Sequence, residues 1–191
     1  MSHIRIVLCG RTTVTDELGR ARLIAGVKPI RILEMLALQQ GESLAKDVIA
    51  DRLWEGKPPR SWVGTLESHI STLRRDIGCV GRSSSLTTTA QGYVLTDEGV
   101  TVDVVEMRRL LQAADRGGDR KRPALVAQAL DLHQGALLAG NPYSMWAEQA
   151  RAELRGLLRL LRQRLEGWPG VVVPEQDSRL AELAASILAV A

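Results

Sequence analysis

The sequence predicts two parts in series: an α+β N-terminal part, with a small antiparallel sheet, three helices and a β-hairpin, and an all-α C-terminal part. Three observations carry this reading. Short runs rich in β-branched residues flank a block of helical periodicity within residues 1–102. Gly and Pro punctuate each change of period. From Asp103 onward the apolar residues recur at helical spacing. A chain of 191 residues holds one large or two small domains. With four Trp, two Tyr and no Phe, its core is built from Leu, Val, Ile and Ala.

Ile4, Val7 and Leu8 form a short strand-like run. A turn over Thr15–Gly19 follows, and then a second short strand about Ala21–Ile24, before Gly26. Pro29 suits the first turn of a helix. Ile30, Leu33, Leu36 and Ala37 continue that helix at three- and four-residue steps, and Gly41 suits its C-cap. A second helix spans about Ala45–Trp54, with Val48, Ile49, Ala50 and Leu53 inward. Pro58 and Pro59 break the pattern. A third helix starts near Ser61, a candidate N-cap, and carries the stripe Leu66, Ile70, Leu73 and Ile77 up to Gly78. After a Gly/Ser-rich connection, Leu86–Thr89 and Tyr93–Leu95 read as a hairpin around Ala90-Gln91-Gly92. Val100–Val102 adds a short strand.

Three further helices are marked by Val104 to Ala114, Leu125 to Leu132 and Trp146 to Leu165, with breaks at Gly117-Gly118-Asp119 and Gly140-Asn141-Pro142. Pro169 and Pro174 flank a Val171–Val173 run, and a last helix is expected over 176–189. The expected domains are therefore 1–102 and 103–191.

The net charge of +3 and pI of about 9.2 permit nucleic-acid binding, although solubility alone also explains them. Cys9 and Cys79 match no zinc or disulfide pattern, so a reducing cytosol is expected. The N-terminal residues hold no long apolar run, and nowhere does an apolar run approach the ~20 residues that span a bilayer. Neither a secretory leader nor membrane attachment is expected. His3, His69 and His133 lack metal-ligand spacing. No glycine-rich phosphate loop and no G-x-S-x-G occurs. The expectation is a non-enzyme without metal or cofactor.

The order strand, three helices, hairpin is that of a winged helix-turn-helix. Lys28-Pro29 through Gly41, Asp47 through Trp54, Pro58-Pro59-Arg60-Ser61, Leu73 through Gly78, and Gln91-Gly92-Tyr93-Val94-Leu95 follow one another at fixed spacing. Together they resemble a SARP, a Streptomyces antibiotic regulatory protein, over about residues 4–168. The resemblance implies an OmpR/PhoB-type winged helix followed by a bacterial transcriptional activation domain of tetratricopeptide-like helices, here shorter than usual. It also implies a cytoplasmic, nucleoid-associated transcription activator of secondary metabolism. Such a regulator binds direct repeats in double-stranded DNA as a homodimer and recruits RNA polymerase. A repressor acting by promoter occlusion, or a helical-repeat adaptor, are the alternatives.

In that frame the third helix supplies base readers and its flanks supply phosphate contacts. Thr65, Ser68, His69 and Thr72 are short or polar and share a face, so they are the expected base-reading residues. Trp54, Lys57, Arg60, Arg74 and Arg75 are the expected backbone contacts. Thr88, Thr89, Gln91, Gly92 and Tyr93 form the expected wing, which carries no Arg at its tip. Plainer roles stay open: Trp54 and Tyr93 as packing anchors, and His69, Arg74 and Arg75 as solvated surface. The row Arg151, Arg155, Arg159, Arg162 and Arg164 reads either as a solvated helix face or as a docking surface.

Overall fold

Alternation places Ile4, Ile6 and Leu8 inward and Arg5 outward, so the first residues extend as strand β1, Ile4–Val7. A computed structural model describes residues 3–78, 85–117 and 121–166. In order it holds β2 (Thr13–Asp16), α1 (Val27–Leu38), β3 (Leu44–Ala45), α2 (Lys46–Leu53), α3 (Trp62–Asp76), β4 (Leu86–Thr88), β5 (Gly92–Leu95), β6 (Val100–Val102), α4 (Asp103–Arg116), α5 (Arg122–Asp131), a 3-10 turn (Met145–Ala147) and α6 (Glu148–Glu166). The expected helix over 176–189, the Val171–Val173 run, Cys79 and Gly118-Asp119 lie outside the described residues.

Two small sheets bracket the helices. One has the order β2-β1-β6 and the other β3-β5-β4. The first is mixed, not the antiparallel sheet that the sequence predicts. β1 pairs antiparallel with β2 (Ile6↔Val14) but parallel with β6 (Ile6↔Val102). The long path between β1 and β6 permits this, since a parallel neighbour requires a crossover connection. The expected strand about Ala21–Ile24 is reduced to a single bridge, Thr15↔Ala21. Asp16 turns the chain there: its Oδ1 accepts hydrogen bonds from the N–H groups of Leu18 (3.0 Å) and Arg20 (2.9 Å). Leu23 beyond the turn is exposed. Ser61 holds the N-cap position of α3, but its hydroxyl makes no capping hydrogen bond.

Leu66, Ile70 and Leu73 of α3, with Ile77 just beyond it, are buried, as are Ile32, Leu33 and Leu36 of α1, and these two helices pack together. In the C-terminal part α4 packs on α5 and α5 on α6. The buried apolar residues of both parts form one cluster.

Between the parts lies a seam rather than a linker. Asp103, 1% exposed, accepts hydrogen bonds at Oδ2 from the N–H groups of Leu8 (2.9 Å) and Cys9 (2.7 Å). Its Oδ1 accepts from the N–H of Val104 (2.8 Å) in the first turn of α4. Residues 136–139 lie along 8–10, through Leu138 N–H to the Leu8 carbonyl (2.8 Å), Gly10 N–H to Ala136 (2.9 Å) and Ala139 N–H to Gly10 (2.9 Å). Cys9 is buried at this seam. Burial first, and the Asp103 charge second, hold its thiol well above the usual range, so it is a core residue and not a nucleophile.

A buried acid stands nearby. Glu34 of α1 is 2% exposed, and its Oε1 accepts from the Thr12 hydroxyl at 2.6 Å. Burial raises its carboxyl above the ordinary glutamate value of 4.5, while Thr12, Arg31 and Arg151 pull the other way. The folded protein therefore keeps this proton to higher pH than the unfolded chain does. Stability from this group is full below pH 4.5 and is lost as pH rises through the raised folded value. Glu34→Gln is expected to remove that downward slope and to leave the Tm at pH 7 at or above that of the parent. Melting curves from pH 4 to 8, on the order of the carboxyl titration range, check this. An unchanged slope contradicts it.

Candidate nucleic-acid interface

The apolar stripe that seats α3 on α1 also decides which residues face out. The opposite edge of the helix carries Gly64, Ser68, Ser71 and Arg75, all exposed, with Val63 and Glu67 beside them. Of the four expected base readers, Ser68 is fully exposed, whereas Thr65, His69 and Thr72 are half-buried on the shoulder toward the body of the protein. The Thr65 hydroxyl donates to the Ser61 carbonyl (3.0 Å) and the Ser71 hydroxyl to the Glu67 carbonyl (3.0 Å). Polarity and spacing in the sequence do not single out Gly64 and Ser71. Taking the face diametrically opposite Leu66, Ile70 and Leu73 at 100° per residue would have found both.

His69 joins a small cluster on the inner shoulder. Its Nε2 is buried without a hydrogen-bond partner among the described residues. Burial, with the Lys28 charge added, lowers its pKa, so the ring is neutral at pH 7. Lys28 Nζ lies 4.9 Å from the centre of the Trp54 ring. The half-buried indole thus packs against the core and takes a cation over its face.

The α2–α3 loop turns sharply at Glu55 and Gly56, both at positive φ (53° and 77°), and leaves Lys57, Pro58, Pro59 and Arg60 exposed. Arg75, its side chain 69% exposed, touches Asp76 through Nε at 3.1 Å, and Asp76 in turn accepts from the Ala25 N–H (2.9 Å). Lys57, Arg60 and Arg75 therefore present charge to solvent around α3.

Arg74 is used differently. Its Nε donates to the Leu86 carbonyl and its Nη2 to the Thr88 hydroxyl, both at 2.8 Å, so the guanidinium ties α3 to the first strand of the wing. The wing is further held by the Ser43–Thr89 hydroxyl pair (2.7 Å) and by Thr89 Oγ1 accepting from the Gly92 N–H (3.0 Å). Lys46, beside β3, bridges to Glu67 of α3 (2.9 Å) and lies 5.6 Å from the centre of the Tyr93 ring. Tyr93 is 2% exposed and anchors the hairpin, leaving Thr88, Ala90 and Gln91 as its exposed tip.

Arg74→Ala is accordingly expected to cost about 1–2 kcal/mol of stability through the two lost hydrogen bonds. It is also expected to weaken binding to specific and scrambled duplexes alike, by misplacing the wing. Urea unfolding and gel shifts check both parts. Full stability with weaker duplex binding would instead make Arg74 a direct phosphate contact.

Among the described residues no group of three or more His, Cys, Asp or Glu could hold a metal ion, and no helix is long and apolar enough to cross a membrane.

Residues 21–95, from just before α1 to the end of β5, match the family described as transcriptional regulatory protein, C terminal. The chain is 33% identical over 154 residues to regulatory protein DnrI of Streptomyces peucetius, covering 73% of this chain and 56% of that one. It is 26% identical over 140 residues to regulatory protein AfsR of Streptomyces griseus, covering 71% and 14%. A solved structure, Mycobacterium tuberculosis EmbR in complex with a low affinity phosphopeptide, shares the fold with a TM-score of 0.72 at 23% identity, over 85% of this chain and 44% of that one. The chain thus spans about half the length of DnrI and less of the other two.

Proposed function

We propose that this chain is a sequence-specific DNA-binding transcription regulator: residues 21–95 match the family described as transcriptional regulatory protein, C terminal, and most of the chain is similar to regulatory proteins of Streptomyces. The observation that carries this reading is the exposed row Gly64, Ser68, Ser71 and Arg75 on α3, set between the Lys57–Arg60 loop and the wing. In this reading α3 lies in the major groove, where short polar side chains reach base edges. Ser68, Thr72 and Thr65 read bases, with Ser71 added. His69 lines the shoulder, while Lys57, Arg60 and Arg75 contact phosphates. Residues 1–102 act as the DNA-binding domain and 103–191 as a tetratricopeptide-like effector domain. The protein works in the cytoplasm at the nucleoid, as a homodimer on direct repeats, and activates by recruiting RNA polymerase. One winged helix has a small footprint, which favours tandem binding.

Footprinting on its own promoter region tests this reading: two adjacent protected direct repeats are expected, and no protection overturns it. Ser68→Ala with Thr72→Ala is expected to cut the preference for specific over scrambled duplex by about tenfold. Equal losses on both duplexes overturn the base-reading assignment. In vitro transcription with polymerase separates activation from promoter occlusion.

A further inference from the structure

The α6 helix carries five arginines; among the described residues two of them make hydrogen bonds or ion pairs, and the charge of a third, Arg162, reaches the half-buried His133. Arg151 is half-buried and donates to the carbonyls of Asn141 (2.7 Å) and Ser144 (3.1 Å), besides pairing with Glu148. Arg164 pairs with Asp115 at 3.1 Å. Arg155, Arg159 and Arg162 are exposed and have no hydrogen-bond or ion-pair partner among the described residues. They follow one another at four and three residues, so they form a single row along the helix.

Beside that row runs a strip that no described residue covers. Ala152 and Gln163 are exposed, and a Cβ added at Gly156 would meet nothing within 4 Å. Glycine inside a helix lowers its stability relative to alanine, and no packing among the described residues requires it here. On the far edge of the strip Leu160 is 49% exposed, while Leu154, Leu157, Leu158 and Leu161 fill the inner face. The face therefore combines a cationic edge, a low centre that admits close approach of a backbone, and a far edge where Leu160 stands between Glu153 and Arg164, whose charges are already paired with Arg108 and Asp115.

We infer that this face of α6 docks an acidic amphipathic helix of a partner protein. The carboxylates of that helix meet Arg155, Arg159 and Arg162, its backbone approaches over Ala152 and Gly156, and an apolar side chain covers Leu160. Charge complementarity selects an anionic partner. The exposed leucine and the open glycine select a helix over a phosphate backbone, which would engage the arginines alone. The inference deepens the regulator reading by giving the helical part a protein partner, and its test uses no DNA in the primary arm.

The test is fluorescence anisotropy of the full chain with an amphipathic helical peptide that carries a leucine stripe flanked by glutamates, against the same peptide with lysines. Binding of the glutamate peptide only is expected. Arg155→Glu with Arg159→Glu and Arg162→Glu is expected to weaken it roughly tenfold or more and to confer binding of the lysine peptide. Gly156→Leu keeps every charge and points into open space. It is expected to abolish binding with no fall in helicity by circular dichroism. No binding by the parent, or equal binding by the charge-reversed variant, overturns the inference. So does concentration-dependent self-association that the charge reversal removes, which makes the occupant a second copy. A parallel gel shift covers the remaining case: weaker duplex binding by the charge-reversed variant with peptide binding unchanged assigns the row to phosphates.

Discussion

Asp103→Ala is expected to lower the unfolding free energy by about 3–5 kcal/mol, the largest effect foreseen for a single side chain here. The carboxylate is 1% exposed and accepts three backbone N–H groups, those of Leu8, Cys9 and Val104. Removing it strands the first two in the core beside β1, each a buried donor without an acceptor. It also removes a negative charge from the first turn of α4, where an anionic side chain is favoured by the exposed N–H groups. Asp103→Asn is the control: one acceptor oxygen survives, so roughly half the loss is expected. Urea unfolding with equal m-values would establish the effect. A loss below about 1 kcal/mol for the alanine variant would mean that the seam is held by the 136–139 backbone pairing alone.

Gly92→Ala is expected to be the next most damaging change and to separate stability from binding. A Cβ at Gly92 would stand 1.9 Å from the Leu44 carbonyl oxygen and 2.9 Å from the Ala45 Cα. Both contacts are backbone, so β3 or β5 has to move. The Leu44↔Tyr93 and Ala45↔Gly92 pairing is then lost and the wing shifts off Tyr93. Overpacking of this kind costs about 1–3 kcal/mol. The wing displacement adds a loss of duplex affinity beyond what the stability change explains. Thermal melts and gel shifts well below the Tm measure the two separately. Unchanged affinity would remove the wing from the interface.

What the sequence reveals follows from what is local in it. α1 and α3 are legible because Leu33, Leu36, Leu66, Ile70 and Leu73 repeat at helical spacing and each side chain is buried accordingly. β3 is not, because two residues carry no period and Leu44 pairs only through Tyr93, far along the chain. The parallel pairing of β6 with β1 is likewise a tertiary event. In the sequence Asp103 reads as a boundary residue, yet its carboxylate accepts from the N–H groups of Leu8 and Cys9, 95 and 94 positions away. Arg74 shows the same limit within the candidate site. An arginine near a helix end reads alike whether its guanidinium meets a phosphate or, as here, the carbonyl of Leu86. Polarity alone singles out Thr65, His69 and Thr72, while the packing of α3 turns their side of the helix partly inward and brings Gly64 and Ser71 to the front.

The measurement closest to the central claim is the affinity of the full chain for its own promoter duplex and for a scrambled duplex, across a salt series. A DNA-reading α3 flanked by Lys57, Arg60 and Arg75 predicts affinities that fall steeply and log-linearly with salt on both duplexes. It also predicts a specific duplex bound about 1000-fold or more tightly than the scrambled one. No duplex binding, or binding that salt leaves unchanged, would contradict it.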